Sequence, residues 1–109
     1  MNDELKDLKN SYDEYIKKVP AGCIKIAEEL RKENMDILKN IIDFSEGMEW
    51  LIAVNNHFTE QGIQMELNQS LLIDYLNNIN EALMQEDFYL VADLFEYEIA
   101  DYFEKLRVD

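Results

Sequence analysis

The chain of 109 residues has the usual length of one domain, and 48% of its residues are hydrophobic, which favours a folded protein over a disordered one. Its three glycines and single proline leave few turn residues, so the composition favours long helices over a sheet-rich fold. A net charge of −14 disfavours binding to nucleic acid or to an anionic membrane, because both attract lysine and arginine.

The acidic residues are concentrated in the later part of the sequence. Residues 1–39 carry nine acidic and eight basic side chains, whereas residues 40–109 carry fifteen acidic side chains and only two basic ones. No lysine or arginine stands between Lys39 and Lys105. A surface of this kind attracts basic peptides, basic protein patches or divalent cations, and it also keeps a protein soluble. The pattern leaves both interpretations open.

The features that bear on location favour the cytoplasm. Cys23 is the only cysteine, so an internal disulfide is excluded and a reducing compartment is favoured. The residues from Met1 to Glu4 lack the basic and then apolar order of a signal peptide. No apolar run approaches the ~20 residues that cross a bilayer. We therefore expect a cytoplasmic protein that does not enter a membrane.

The first predicted helix is amphipathic. Its apolar residues recur at alternating intervals of three and four, which places them on one side of a helix: Leu5, Leu8, Tyr12, Tyr15 and Val19. Pro20 disfavours helical geometry at the residue before it, and Gly22 follows closely. The helix is therefore expected to end near residue 18.

The next stretch keeps one apolar heptad phase over residues 23–58. The sequence Ser45-Glu46-Gly47 interrupts it, because serine is a good N-cap and glycine costs about 1 kcal/mol inside a helix. The apolar phase does not change across this interruption. The pattern predicts either one long helix kinked near Gly47 or two helices nearly in line.

Two more helices are expected after this stretch. Gly62 is placed to take the left-handed position that ends a helix, and Asn68 or Ser70 is expected to cap the next one. Asp87 is expected to cap the last helix. The sequence therefore predicts an all-α fold, a single antiparallel four- or five-helix bundle formed by one domain over residues 1–109.

The last predicted helix, which begins near residue 88, is apolar on more than one side. Tyr89, Leu94 and Tyr97 fall outside its apolar stripe, and Glu98 falls inside it. A helix of this kind is either central in a bundle or presents a second face to a partner. The candidate interaction face comprises two tyrosines, a leucine and two carboxylates: Tyr89, Asp93, Leu94, Glu96 and Tyr97.

Two pairs of carboxylates form the basis of an enzymatic alternative. Glu46 and Glu49, like Glu98 and Asp101, stand three residues apart, so each pair shares a helix face suited to a divalent cation. The pairs resemble the E-x-x-E and E-x-x-D motifs of the all-α nucleoside triphosphate pyrophosphatases. That resemblance implies a Mg²⁺-dependent enzyme with these four residues as metal ligands, although the family places its pairs on consecutive helices. A di-iron site is excluded, because His57 is the only histidine and no Glu-x-x-His motif is present.

Two short segments carry a second resemblance. One runs from Glu46 to Trp50 and has the pattern E-G-x-x-W; the other runs from Asp93 to Glu98 and has the pattern D-L-L-E-Y-E, with Phe95 in place of a leucine. Both resemble segments of a family of small uncharacterised helical proteins from Firmicutes. The resemblance implies an acidic helical fold and supplies no catalytic residues. In size, charge and helicity the chain is also generally similar to the small export chaperones of bacterial flagellar and secretion systems.

The leading interpretation is a non-enzymatic, chaperone-like interaction protein that binds a basic or amphipathic protein segment and needs no cofactor. Tyr89, Leu94 and Tyr97 are expected to supply apolar contacts, while Asp93 and Glu96 set the charge preference. Three alternatives remain open. They are the Mg²⁺-dependent enzyme, an acidic mimic of nucleic acid that occupies a DNA-binding protein, and a homodimer joined through the stripe of residues 23–58.

Overall fold

Helices form most of the described part of the chain. The structure, a computed structural model, describes residues 2–106 and contains no strand in that range. The elements follow in this order: α1 (Asp3–Arg31), a 3₁₀ turn (Met35–Ile37), α2 (Leu38–Glu60), α3 (Gln69–Met84), α4 (Phe88–Asp93), a π-helical segment (Leu94–Ile99) and α5 (Ala100–Lys105). The last three elements follow one another without an intervening turn and are together called the C-terminal helix.

The helices pack side by side in a bundle 46 Å long and 22 by 21 Å across. α1 lies against α2 and the C-terminal helix, and α3 packs against the same two elements. Near its start α1 contacts the end of α2 through Tyr12 and Phe58, and its last residue, Arg31, pairs with Asp93 of α4. The predicted all-α antiparallel bundle is therefore confirmed, with four helices within residues 2–106. No helix among residues 2–106 combines the length and the hydrophobicity that crossing a bilayer requires.

α1 runs through Pro20, so the prediction that it ends near residue 18 is wrong. Buried side chains line the same side of α1 before and after this proline, including Ile16, Cys23 and Leu30. A proline inside a helix costs about 3 kcal/mol relative to alanine. Each fully buried aliphatic side chain contributes roughly 1.5–3 kcal/mol, so burial of the second half of α1 outweighs the local cost.

After α1 ends at Arg31 the chain turns back at Glu33, so both predicted alternatives for residues 23–58, one helix kinked near Gly47 or two helices nearly in line, are wrong. Glu33 has a φ of 61°, in the left-handed region. Its N–H donates to the carbonyl of Leu30 at 3.0 Å, and the N–H of Asn34 donates to the carbonyl of Glu29 at 2.9 Å. These bonds satisfy the last carbonyls of α1 and reverse the chain. α2 then continues unbroken past Gly47.

The other two helix ends inside the bundle use the same left-handed geometry. Gly62 follows α2 with a φ of 79°, as predicted, and Glu86 follows α3 with a φ of 56°. Of the two predicted caps for α3, Asn68 is the N-cap, because its side chain accepts a hydrogen bond from the backbone N–H of Leu71 at 3.1 Å. The predicted cap Asp87 accepts a backbone N–H at 3.1 Å at the start of α4. Both helix starts are therefore confirmed.

Replacing Glu86 with glycine is expected to stabilise the protein by about 1 kcal/mol, because the left-handed conformation costs an L-residue roughly 1–2 kcal/mol and costs glycine little. Gly62→Ala is the matched control with the opposite sign, since a Cβ at Gly62 meets no atom within 4 Å and only the backbone strain changes. Urea unfolding followed by circular dichroism measures both variants. A Glu86→Gly variant no more stable than the parent chain would contradict the left-handed turn.

Gly47 allows a close approach between α1 and α2. A Cβ built at Gly47 would overlap the hydroxyl oxygen of Tyr15. The ring of Tyr15 also lies edge-on to Trp50, with the ring centroids 5.8 Å apart. The glycine therefore leaves room for the tyrosine, and the tryptophan three residues later packs against the same ring. This contact gives the E-G-x-x-W segment a structural role.

Candidate functional site

The C-terminal helix changes from α-helical to π-helical geometry within Leu94–Ile99, the segment that contains the predicted site residues Leu94, Glu96 and Tyr97. A π-helical turn contains more residues than an α-helical turn, so side chains rotate relative to an α-helical pattern. Phe95 and Phe103 remain in the core, whereas Glu98 is exposed. The prediction that Glu98 lies on the inward stripe is therefore wrong. Single π-helical turns occur frequently at functional sites.

The predicted interaction face is divided between the surface and the core. Tyr89 and Tyr97 are 64% and 65% exposed. Leu94 is only 6% exposed and packs within the core, so its assignment to this face is wrong. Leu90, which is 42% exposed, supplies an apolar side chain at the start of the same helix.

Arg31, the last residue of α1, binds both acidic residues of the predicted face. Its guanidinium donates one hydrogen bond to Asp93 at 2.8 Å and another to Glu96. The same guanidinium lies 5.7 Å from the centroid of the Tyr97 ring, within cation–π range. The hydrogen bonds to Asp93 and Glu96 raise the pKa of Arg31. Sequence reasoning missed this pairing, because Arg31 belongs to the charge-balanced part of the chain.

An open cleft of about 390 Å³ lies between α3 and the C-terminal helix. We call it the tyrosine cleft, and its aromatic and charged lining consists of three tyrosines, two carboxylates and one lysine: Tyr75, Tyr97, Tyr102, Glu98, Asp101 and Lys105. Tyr75 comes from α3, and the other five come from the C-terminal helix. Sequence reasoning paired Glu98 with Asp101, but no local pattern brings Tyr75 to them.

Two tyrosines that line the cleft, Tyr75 and Tyr102, pack against each other. Tyr75 is 8% exposed, and its ring lies edge-on to Tyr102 with the centroids 6.2 Å apart. The Tyr102 hydroxyl accepts the backbone N–H of Asn68 at 2.9 Å. The Tyr75 hydroxyl has no hydrogen-bond partner among residues 2–106, and no buried side-chain nitrogen or oxygen in that range is left unpaired. The Tyr75 hydroxyl therefore opens on the cleft that Tyr75 lines.

The two carboxylates of the tyrosine cleft differ in their partners. Asp101 accepts a hydrogen bond from the Lys105 ammonium at 2.8 Å, whereas Glu98 forms no salt bridge within residues 2–106. Burial makes the largest contribution to raising the pKa of the Tyr75 hydroxyl, and the negative charge of Glu98 makes the second largest. That hydroxyl is therefore protonated at neutral pH, and it lies near the negative charge of Glu98, which no lysine or arginine within residues 2–106 pairs with.

A family model described as Domain of unknown function (DUF8042) matches residues 7–109. The chain belongs to this family. No curated protein and no solved structure matches it. The DUF8042 match contains α2, α3, the C-terminal helix and most of α1, so it includes both sides of the tyrosine cleft.

The carboxylates that were predicted to hold Mg²⁺ are not gathered at one place in this DUF8042 chain. Glu46 and Glu49 are exposed on α2, while Glu98 and Asp101 are exposed on the C-terminal helix. Within residues 2–106 no group of three or more histidine, cysteine, aspartate or glutamate side chains is arranged to hold a metal ion. The described residues therefore do not form the two-pair site that the pyrophosphatase-like alternative requires.

The apolar stripe of residues 23–58 is covered inside the bundle. Its members Cys23, Ala27, Met48 and Leu51 are each at most 1% exposed. The stripe is therefore not available to join two copies of the chain, as the homodimer alternative requires. Burial also raises the pKa of the Cys23 thiol to about 12, so this thiol is protonated and a poor nucleophile at neutral pH.

Proposed function

We propose that this DUF8042 protein is a non-enzymatic interaction protein whose C-terminal helix binds a basic or amphipathic segment of another protein. The tyrosine cleft is the observation that carries the proposal, because it places aromatic rings beside Glu98, a surface carboxylate with no salt bridge in the described part of the chain. Buried aromatic side chains supply much of the binding energy at protein interfaces, and a carboxylate selects a cationic partner.

The start of the C-terminal helix supports a partner that is amphipathic as well as basic. Tyr89 and Leu90 are 64% and 42% exposed, and Met84 at the end of α3 is 84% exposed. These three residues flank the short turn between α3 and the C-terminal helix, and exposed apolar side chains grouped at a surface are typical of interaction sites. An apolar stripe on the partner would cover these side chains while its cations face the carboxylates.

The charge of the bundle supports electrostatic attraction of the partner. No lysine or arginine occurs in residues 40–104, which contain α3 and most of α2 and the C-terminal helix. A field of one sign speeds encounter with an oppositely charged molecule. Because Arg31 already binds Asp93 and Glu96, we assign the main charge preference to Glu98 instead.

The setting that we propose is a chaperone-like role in a bacterial cytoplasm. The similarity in size, charge and helicity to small export chaperones supports the role, and the resemblance of two segments to Firmicutes proteins supports the bacterial origin. Cys23, the single cysteine, is buried and free, which is typical of a reducing compartment.

Calorimetric titration with a synthetic peptide tests this proposal. The probe is a helical peptide of about 20 residues with leucines on one face and lysines on the other, and the control peptide carries glutamate at every lysine position. The lysine peptide is expected to bind with micromolar affinity, and binding should weaken on the order of tenfold between about 50 mM and about 500 mM salt. Equal binding of the two peptides, or no binding of the lysine peptide, would contradict the proposal.

The same titration separates this function from mimicry of nucleic acid. A mimic presents its charges to the groove of a folded DNA-binding protein and has no need for an apolar contact. Tight binding of a folded DNA-binding protein together with failure to bind the lysine peptide would favour the mimic.

A further inference from the structure

We infer that the tyrosine cleft receives a single lysine side chain of the bound segment, with its ammonium group held between the tyrosine rings and Glu98. This inference rests on the proposed function and names the chemical group that the surface recognises. An ammonium beside the faces of aromatic rings is attracted by their quadrupoles, and the methylene stem of lysine packs on the same rings.

The Tyr75 hydroxyl indicates a ligand with hydrogen-bond donors. Tyr75 is 8% exposed, yet its hydroxyl has no partner within residues 2–106 and opens on the cleft. An ammonium group has three donors and no acceptor, so it can bind the hydroxyl oxygen of Tyr75 and the carboxylate of Glu98 together. A bound anion would instead meet the negative charges of Glu98 and Asp101.

Lys105 already places one ammonium group beside a carboxylate of the cleft. Its Nζ lies 2.8 Å from Oδ2 of Asp101, and both residues line the cleft. The Lys105 side chain is 76% exposed, and exposed pairs of this kind are weak. Lys105 thus occupies one carboxylate, leaves Glu98 open, and competes by its positive charge with an incoming lysine.

Titration of the same lysine peptide against four single variants tests this inference. Glu98→Gln is expected to weaken binding about tenfold, and Tyr75→Phe about threefold, because each removes an acceptor for the ammonium. Lys105→Met is expected to strengthen binding about threefold, since it removes the competing cation. Glu104→Gln is the matched control: it makes the same charge change at an exposed position of α5 outside the cleft, and a change below about twofold is expected.

The possible results distinguish a failure of the lysine site in the tyrosine cleft from a failure of the proposed interaction function. If Glu98→Gln and Glu104→Gln weaken binding equally, the cleft assignment is overturned while binding to the acidic surface stands. If the parent chain does not bind the lysine peptide, both proposals fail. Circular dichroism confirms the fold of each variant. Because Glu98 and Lys105 are exposed, these two variants decide the result even if Tyr75→Phe loses the fold.

Discussion

Gly47→Ala is expected to lower the free energy of unfolding by up to about 2 kcal/mol. The added methyl group overlaps the hydroxyl and ring of Tyr15, and overpacking of this kind costs roughly 1–3 kcal/mol. The higher helix propensity of alanine offsets about 1 kcal/mol of that cost. Urea unfolding followed by circular dichroism measures the difference. A stabilised Gly47→Ala variant would contradict the packing of Tyr15 against α2.

Two further variants isolate the cause of this effect. Gly22→Ala is the matched control within α1, because a Cβ at Gly22 meets no atom within 4 Å, and it is expected to stabilise the protein by about 0.5–1 kcal/mol. In a Tyr15→Ala background the Gly47→Ala substitution is expected to become stabilising by a similar amount. If Gly47→Ala still lowers the free energy of unfolding in the Tyr15→Ala background, the steric overlap does not involve Tyr15.

Phe95→Ala is expected to have the largest effect among these substitutions, a loss of about 3–5 kcal/mol of stability. Phe95 is fully buried, and its ring lies edge-on to Phe44 of α2 with the centroids 4.9 Å apart. Truncation removes this contact and leaves a cavity between the C-terminal helix and α2. Urea unfolding measures the loss, and a cost below about 1 kcal/mol would contradict the burial of Phe95.

Tyr97→Ala is the matched control for Phe95→Ala within the same π-helical segment. Tyr97 is 65% exposed, so its truncation is expected to change stability by no more than about 0.5 kcal/mol while it weakens binding of the lysine peptide. A large loss of stability in Tyr97→Ala with unchanged peptide binding would make Tyr97 a structural residue.

The helices could be predicted from the sequence, but two of their boundaries could not. Apolar spacing identified which stretches are helical, because burial of one side stabilises each helix, but it assigned the second half of α1 to the same element as α2. The turn at Glu33 was missed because its left-handed residue is a glutamate, whereas glycine is the usual signal. At Pro20 a helix end was predicted where none exists. Proline is a strong local signal for the end of a helix, but the buried contacts along α1 outweigh its cost.

The candidate site was only partly predictable, because its residues meet through tertiary packing. The sequence singled out Tyr97 and Glu98, but an α-helical pattern placed Glu98 on the buried side. In the structure Glu98 is exposed and lies within the π-helical turn, which an α-helical pattern does not anticipate. Tyr75 and Arg31 come from α3 and α1, and their positions beside the C-terminal helix follow from the antiparallel arrangement. No local spacing contains that information.

The two segments that carried the family resemblance have separate roles in the structure. The segment from Glu46 to Trp50 joins α2 to α1 through Tyr15. The segment from Asp93 to Glu98 contains most of the π-helical turn and exposes Glu98 to the tyrosine cleft. The first segment supports the fold, and the second shapes the surface to which we assign the function.

Mapping of the bound peptide by nuclear magnetic resonance tests the central claim most directly. The ¹⁵N-labelled protein is titrated with the lysine peptide, and the chemical-shift changes of the backbone amides are compared along the chain. The account predicts the largest changes at Tyr75, Tyr97, Glu98 and Asp101, which line the tyrosine cleft. The largest changes in the groove between α1 and α2, or changes spread evenly over the acidic surface, would contradict it.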